Sequence, residues 1–482
     1  MFFVYSGSLF SVLYVLRLYN LSRGIIFLSI VLFPILSFLF IILFKLQIFK
    51  RFTNNLILKV VPVFFLILFI GIFLFQNNNP EQELSIDSSP PITVSEVVEG
   101  VVNEGCSEWK GSDNFTDCIT GTSVSVLTNL NTPLTNVILF DQNIYVLQKN
   151  GLIFNFSDNS NFLDLSSKVG LFEDFAESGL FSLAFHPKEN YFLVSYSDKE
   201  NNLIIEKFQL DNFLNPIVDT TEILMKLPNS QCCHYSGNII WSNYFNDFLI
   251  SVGDMQNKNG LLHSDPLDTT SPKGKVLFLN KKISNADLLS LENSSIPRQD
   301  ILAYGLRNPW KTYEYKNYLF IPDVGKAREE ELNIVNLDDF KESSKPFLFG
   351  WPHFEGTIYY DLMFNQILYH NENSSVNIRE YIKENTLLPH VYYSHEAPEN
   401  YRAAIIGGGV IQKSNSKYFE HYFFADYLSN EMFSYDFANN ELKIMPLKNL
   451  GGSITSMTIN TFAEDEILIT TASGRLVSLK LP

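Results

Sequence analysis

One grammar recurs along this chain: an apolar strand, a turn built from Gly, Asn, Asp or Ser, and a second strand alternating in polarity. It is read in "NIYVLQKNGLIFNF", "YFLVSYSDKENNLIIEKFQL", "FLISVGDMQNKNG" with "GKVLFLN", "YLFIPDVGKAREEELNIV", "YFFADYLSNEMFSYDF" and "ILITTASGRLVSLK". A period of two gives each strand a core-facing side, and short polar turns join neighbours antiparallel. Six such pairs over roughly 360 residues recur about every 60 residues, with no helical periodicity between them. An open sheet of so many strands would expose its edges, whereas radial repetition hides them, so the expected fold is all-β, a six-bladed β-propeller. A large β-sandwich or two small barrels is the competing architecture for the same pattern. "SVSVLTNLNTPLTNVILF", ahead of the first pair, supplies outer or closing strands.

The chain's 482 residues exceed what that domain needs, and the excess lies at the N-terminus. Gly24 to Phe44 is an apolar run long enough to span a bilayer, and Leu58 to Phe75 is a second. Phe2 to Tyr19 is a possible third span or an interfacial helix, since it carries Arg17. Lys45, Lys50, Arg51 and Lys59 fall between the two clear spans, so the bias of positive charge puts that loop in the cytoplasm and everything after Phe75 outside. Residues 1–76 therefore read as a membrane anchor, 77–101, rich in Asn, Glu, Ser and Pro, as a flexible linker, and 102–482 as the propeller. No small-residue cleavage pair follows the second run, which argues for a retained anchor over a cleaved signal peptide.

A net charge of −17 spread along the sequence excludes a nucleic-acid footprint. The 42 phenylalanines suit a filled β-rich core and not a disordered acidic chain. Cys106 and Cys118 bracket a short loop with no histidine nearby to complete a zinc site, so a disulfide closing that loop is expected and agrees with export. The adjacent Cys232 and Cys233 read as packed thiols or a vicinal disulfide.

Several short motifs fall in order across the β-rich region: "SGLFSLAFHP" (178–187), "HYSGNIIW" (234–241), "VGD" (252–254), "GKVLFLN", "AYGLRNPWK" (303–311), "DVGKAREEELNIV" (323–335), "GWPHFEG" (350–356) and "IIGGGVI" (405–411). Together they resemble the glucose/sorbosone dehydrogenase family, six-bladed propellers that include soluble quinoprotein sugar dehydrogenases and Hedgehog-interacting-protein-like domains. The resemblance implies pyrroloquinoline quinone as cofactor, a calcium ion polarising its reactive carbonyl, a sugar substrate and, with the anchor, a membrane electron acceptor.

It further implies that His234 is the base removing the proton of the anomeric hydroxyl and that Asp254 orients it from the end of the next strand. Such a base needs a pKa near working pH and a carboxylate to hold it. A hairpin closed by the "SNYF" turn brings positions some 20 apart side by side at about 3.3 Å per residue. The plainer reading is a His and an Asp satisfying turn backbone. Arg307 and Asn308 match the pair that contacts the quinone, a guanidinium fork suiting a planar carboxylate, against a plain role in pinning a loop. Gly325 and Lys326 fall where main-chain oxygens meet the active-site calcium, a hard cation that takes carbonyl ligands. Glu330, within the acidic run 329–331, is the candidate for a further calcium, a solvated turn being its alternative. Trp351 and Pro352 read as packing residues.

The chain departs from the quinone-binding pattern where that pattern carries positive charge. Ser429 or Asn430 stands in place of a lysine, and Ser453 and Thr455 in place of two arginines. Arg402 in "NYRAAIIGGG" is the candidate to compensate. The alternative to a dehydrogenase is thus a non-catalytic propeller that binds a glycan or protein outside the cell. A glycoside hydrolase is disfavoured, because no paired carboxylates stand at the motif positions.

Overall fold

The computed structural model describes residues 109–119, 122–172, 177–229, 233–255, 262–263, 265–281, 299–359, 367–368, 375–395, 401–448, 450–463 and 465–482. The expected membrane spans, the linker, Cys106 and Cys232 lie outside the described residues. No helix among the described residues is long and apolar enough to cross a membrane.

Those residues form six blades, each a four-stranded antiparallel sheet. Blade I comprises Leu134–Phe140, Asn143–Gln148, Leu152–Asn155 and Ser160–Asp164, and blade II comprises Leu180–Phe185, Tyr191–Ser197, Asn202–Leu210 and Pro216–Pro228. Ser236–Ser242, Asp247–Val252, Lys275–Phe278 and Ile301–Tyr304 make blade III; Tyr313–Tyr315, Tyr318–Asp323, Glu329–Asn336 and Val391–Ser394 make blade IV. Blade V is Ile405–Val410, His421–Asp426, Glu431–Asp436 and Glu441–Pro446. Blade VI takes Ile454–Ile459, Glu466–Thr471 and Arg475–Lys480 from the C-terminus, and Ser123–Asn129 pairs antiparallel with the last of these to close the ring. Every strand pair legible in the sequence is the middle two strands of a blade. Within "SVSVLTNLNTPLTNVILF", Ser123–Asn129 is the closing strand, but Leu134–Phe140 is the innermost strand of blade I and not an outer one.

Why the middle strands are apolar throughout follows from their position between two neighbours. Side chains alternate faces along a strand, and each face of a blade meets a different blade. Leu249 packs into the core between blades III and IV, while Ile250 faces the core between II and III. Ile467 and Ile469 likewise belong to the V–VI core and Leu468 to the VI–I core. Six hydrophobic clusters fill the six junctions. Phenylalanine does much of this filling: Phe140 of blade I stacks on Phe185 of blade II at 4.2 Å, and Phe320 of blade IV on Tyr422 of blade V at 4.3 Å. Each such buried side chain contributes about 1.5–3 kcal/mol of transfer free energy.

Two edges carry additions: Phe115–Cys118 runs parallel to the outer strand of blade V, and Phe347–Leu348 parallel to that of blade III. Two helices, Leu337–Ser343 and Ser375–Asn385, lie in the long connection between the third and fourth strands of blade IV. The first is capped by Asn336, whose side chain accepts from the Asp338 N–H, and buries Leu337 and Phe340.

Because strands alternate direction, the residues leading into each innermost strand share one rim of the ring with the turn between the second and third strands. That rim collects His234, Asp254, Arg307, Asn308, Gly325 and Lys326 from blades III and IV, and Lys149 and Glu177 from blades I and II.

Candidate active site

His234 enters the rim through a sharp turn, with φ of +57° and +52° at His234 and Ser236. Cys233, immediately before it, is disulfide-bonded, as is Cys118, so neither is the packed thiol that was one expectation for Cys233. On the returning strand, Gly253 passes so close that a Cβ there would lie 2.0 Å from the His234 carbonyl oxygen, so only glycine lets the two chains meet. That approach sets Asp254 beside the imidazole: Nδ1 of His234 and Oδ1 of Asp254 are 2.6 Å apart, with His234 only 5% exposed. The second carboxylate oxygen accepts from Nε1 of Trp351 at 2.9 Å. The His234 backbone N–H donates to Glu177 Oε2 at 2.5 Å, tying the base to blade II.

Arg307 closes the other side of the ring. Its Nη2 lies 2.9 Å from His234 Nε2. A guanidinium can only donate, so Nε2 must be the acceptor and the imidazole proton sits on Nδ1, shared with Asp254. Nη1 of the same guanidinium donates to the carbonyls of Val324 at 2.8 Å and Gly325 at 2.5 Å, and the group stands over the Trp351 ring at 5.6 Å. The backbone of this segment is fixed by Asp323, whose carboxylate accepts the N–H groups of Arg307 at 2.8 Å and Asn308 at 2.6 Å. Burial pushes the Asp323 carboxyl up to about 7 against those bonds and the Arg307 charge. At Asp254 burial works the same way, but its interactions with His234 and with the Arg307 charge, and the bond from Trp351, outweigh it and hold the carboxyl below its ordinary range.

Asn308 is 4% exposed, and its Oδ1 is buried without a hydrogen-bond partner among the described residues. Lys326 stands near enough to Arg307, Glu355 and Asp254 to feel their charges, and its pKa is lowered by burial and then by Arg307. Lys149 is lowered by burial and partly restored by Glu177.

The structure thus brings together His234, Asp254, Arg307, Asn308, Gly325 and Lys326. It places Glu330 and Arg402 otherwise. Glu330 is fully buried; one oxygen meets His395 Nε2 at 2.6 Å and accepts from Ala404 N–H, and the other accepts from the N–H groups of Ile405 and Gly325. Arg402, also without exposed surface, pairs with Glu431 through Nε at 2.5 Å and Nη2 at 3.2 Å and stands over Trp109. Among the described residues no cluster of three or more acidic, histidine or cysteine groups could hold a metal ion.

Three contributors escaped the sequence reading. Glu177 acts through a bond to main chain, which leaves no motif. Trp351, read as packing, packs and also donates to Asp254. Lys311 follows Arg307 by four residues and turns inward, as described below. Of these, Trp351 sat in "GWPHFEG" and Lys311 closed "AYGLRNPWK", so both stood in motifs that could have drawn notice.

The assembly is a six-bladed propeller with an aspartate-held imidazole and an arginine at one rim. Residues 130–413 match the family described as glucose/sorbosone dehydrogenase, and the chain belongs to that family. No curated protein matches the sequence. Among solved structures, the soluble aldose sugar dehydrogenase of Escherichia coli in its apo-form superposes with a TM-score of 0.55 at 15% identity, covering 75% of this chain and 100% of that one. A putative oxidoreductase (glucose dehydrogenase) from Thermus thermophilus gives 0.53 at 15% identity over 74% and 100%. At such identities the likeness is one of fold.

Proposed function

We propose that this protein is a membrane-anchored aldose dehydrogenase facing the cell exterior, dependent on pyrroloquinoline quinone and calcium. The observation that carries the reading is the His234 imidazole, proton on Nδ1 toward Asp254, with its Nε2 lone pair met by Arg307 Nη2 at 2.9 Å. That lone pair takes the proton of an anomeric hydroxyl once the sugar displaces the Arg307 Nη2 contact. Asp254 then stabilises the imidazolium, and Trp351 keeps the carboxylate aligned. Arg307, released from the base, is placed to hold negative charge on cofactor or substrate.

The residues present suit the cofactor in donor type. Arg307 and Lys326 offer positive charge, and Asn308 Oδ1 is a buried acceptor awaiting a donor. The carbonyls of Val324 and Gly325 converge on one cationic nitrogen, an arrangement suited to a hard cation, with Gly325 and Lys326 as main-chain ligands. When bound, the quinone supplies the two-electron acceptor for the hydride leaving the anomeric carbon, and calcium the charge that polarises its carbonyl. The N-terminal apolar runs and the positive loop between them support the anchored, outward orientation and a membrane electron acceptor.

One observation favours the alternative, a non-catalytic propeller binding a glycan or protein. Ser429, Asn430 and Thr455 are neutral and engaged within the protein: Ser429 Oγ accepts from Glu431 N–H, Asn430 Oδ1 from Ile454 N–H, and Thr455 Oγ1 meets Thr470 Oγ1. The deciding experiment adds pyrroloquinoline quinone and calcium to the purified full chain and follows the visible spectrum, then dye reduction with a panel of aldoses. A spectral change with aldose-dependent reduction is expected; an unchanged spectrum at high micromolar quinone would leave the binding propeller. Protease added to sealed, right-side-out cells should remove the propeller, and its full protection would overturn the orientation.

A further inference from the structure

Beneath the rim, where the innermost strands converge, lies a cavity with room for about one water-sized occupant. Its polar lining comes from Thr135, Asn136, Ser236 and Asn238, and Phe181 and Trp310 supply aromatic wall. Lys311 completes it. The backbone there has φ of +65°, a region that costs an L-residue on the order of 1 kcal/mol, and Gly407 of blade V is so close that a Cβ would meet the Lys311 carbonyl at 2.1 Å.

Lys311 is 9% exposed as a residue, and among the described residues no carboxylate pairs with its ammonium. It donates to Ser456 Oγ and to the Met457 carbonyl, the latter at 2.7 Å, which uses two of the three donors that an ammonium carries. Burial alone lowers its pKa to about 7. The cavity's amides lean the same way. Asn136 Oδ1 already accepts from Ser456 Oγ and Val137 N–H, and its Nδ2 donates to the Phe181 carbonyl. Asn238 Oδ1 accepts from Thr312 Oγ1, leaving Nδ2 without a partner among the described residues. The two amide oxygens are spoken for, while an ammonium hydrogen and an amide group remain to be satisfied. A buried cation without a counterion is unfavourable, and donors turned on a small polar cavity suit an anion better than a cation or an apolar ligand.

We propose that the axial cavity binds a small monatomic anion, chloride, between Lys311 Nζ and Asn238 Nδ2, pinning blades III, IV and VI together at the centre of the ring. Among the described residues Lys311 is the one titratable group lining the cavity, so binding strengthens as pH falls through the range in which its ammonium forms.

The test is thermal unfolding of the full chain at pH 6 in sodium chloride and in sodium gluconate of equal ionic strength. Chloride should raise the melting temperature by about 2 °C for each tenfold increase above its dissociation constant, and gluconate should not. Lys311→Met should abolish the difference. Should that variant fail to fold, Asn238→Asp places a fixed negative charge beside Lys311 while still accepting from Thr312, and should make the two salts equivalent. Crystals grown in bromide should show anomalous density within hydrogen-bond distance of Lys311 Nζ. Superimposable chloride and gluconate curves in the wild type, a chloride shift undiminished in Asn238→Asp, or a bromide-free cavity in the anomalous map would each overturn the proposal.

Discussion

The two halves of the rim share a backbone plan and differ in charge. On the side of blades III and IV, His234, Asp254, Arg307 and Asp323 form one connected network, with Lys326 beside it. On the side of blades V and VI, Ser429, Asn430, Ser453 and Thr455 carry no charge, and the charges nearby are turned to protein partners. Arg402 is paired with Glu431, and burial pushes the Asp426 carboxyl up to about 7 although it accepts the Ser429 N–H. The same kind of turn, between the second and third strands of a blade, carries Gly325 and Lys326 in blade IV and Ser429 and Asn430 in blade V. Blade geometry therefore supplies the position, and the turn residues alone decide whether it bears charge. One half joins an imidazole, two carboxylates and a guanidinium; at Ser429, Asn430, Ser453 and Thr455 the other presents hydroxyls and an amide.

The largest effect expected from breaking this contrast is at the base. His234→Ala should lower kcat for aldose oxidation by about 10²–10⁴-fold while quinone binding changes little, and turnover at the wild-type rate would remove His234 from the chemistry. Sharpening comes from the neutral half. Replacing Thr455 by Arg restores one charge-assisted bond of about 1.5–3 kcal/mol, so the quinone dissociation constant should fall about tenfold or more in a spectral titration. An unchanged constant would mean that the missing cations do not limit binding.

Trp351→Phe keeps the ring beneath Arg307 but removes the indole N–H from Asp254. It should lower kcat by about tenfold with KM nearly unchanged, since a hydrogen bond to a charged carboxylate contributes about 1.5–3 kcal/mol. Smallest is the effect on acid stability. The Asp254 pKa is depressed in the folded state, so its stabilisation is present above the ordinary carboxylate range and is lost as pH falls through the folded value. Asp254→Asn should therefore unfold less steeply with acid than the wild type; equal slopes would show that the Asp254 carboxylate does not couple to folding.

Much of this was legible in the residues because it is local. The middle strands announce themselves through apolar runs and polar turns, and His234, Asp254, Arg307 and Asn308 stand within recognisable motifs. The inner strand Leu134–Phe140 was misplaced because an innermost strand is short on one-sided alternation, lining the axis with residues such as Asn136. Arg402 and Glu330 looked available because sequence does not show that Glu431 and His395, each 29 or more residues away, wait for them elsewhere in the same blade.

Strand period and turn chemistry, both set by neighbours within a few residues, determined by themselves that this chain makes repeated blades and carries an imidazole and a guanidinium near their ends. Ring closure decided which of those groups meet. It brought Glu177 and Trp351 to His234 and Asp254, and Lys311 to the axis against Ser456, because hydrogen bonds act over about 3 Å in space regardless of distance along the chain.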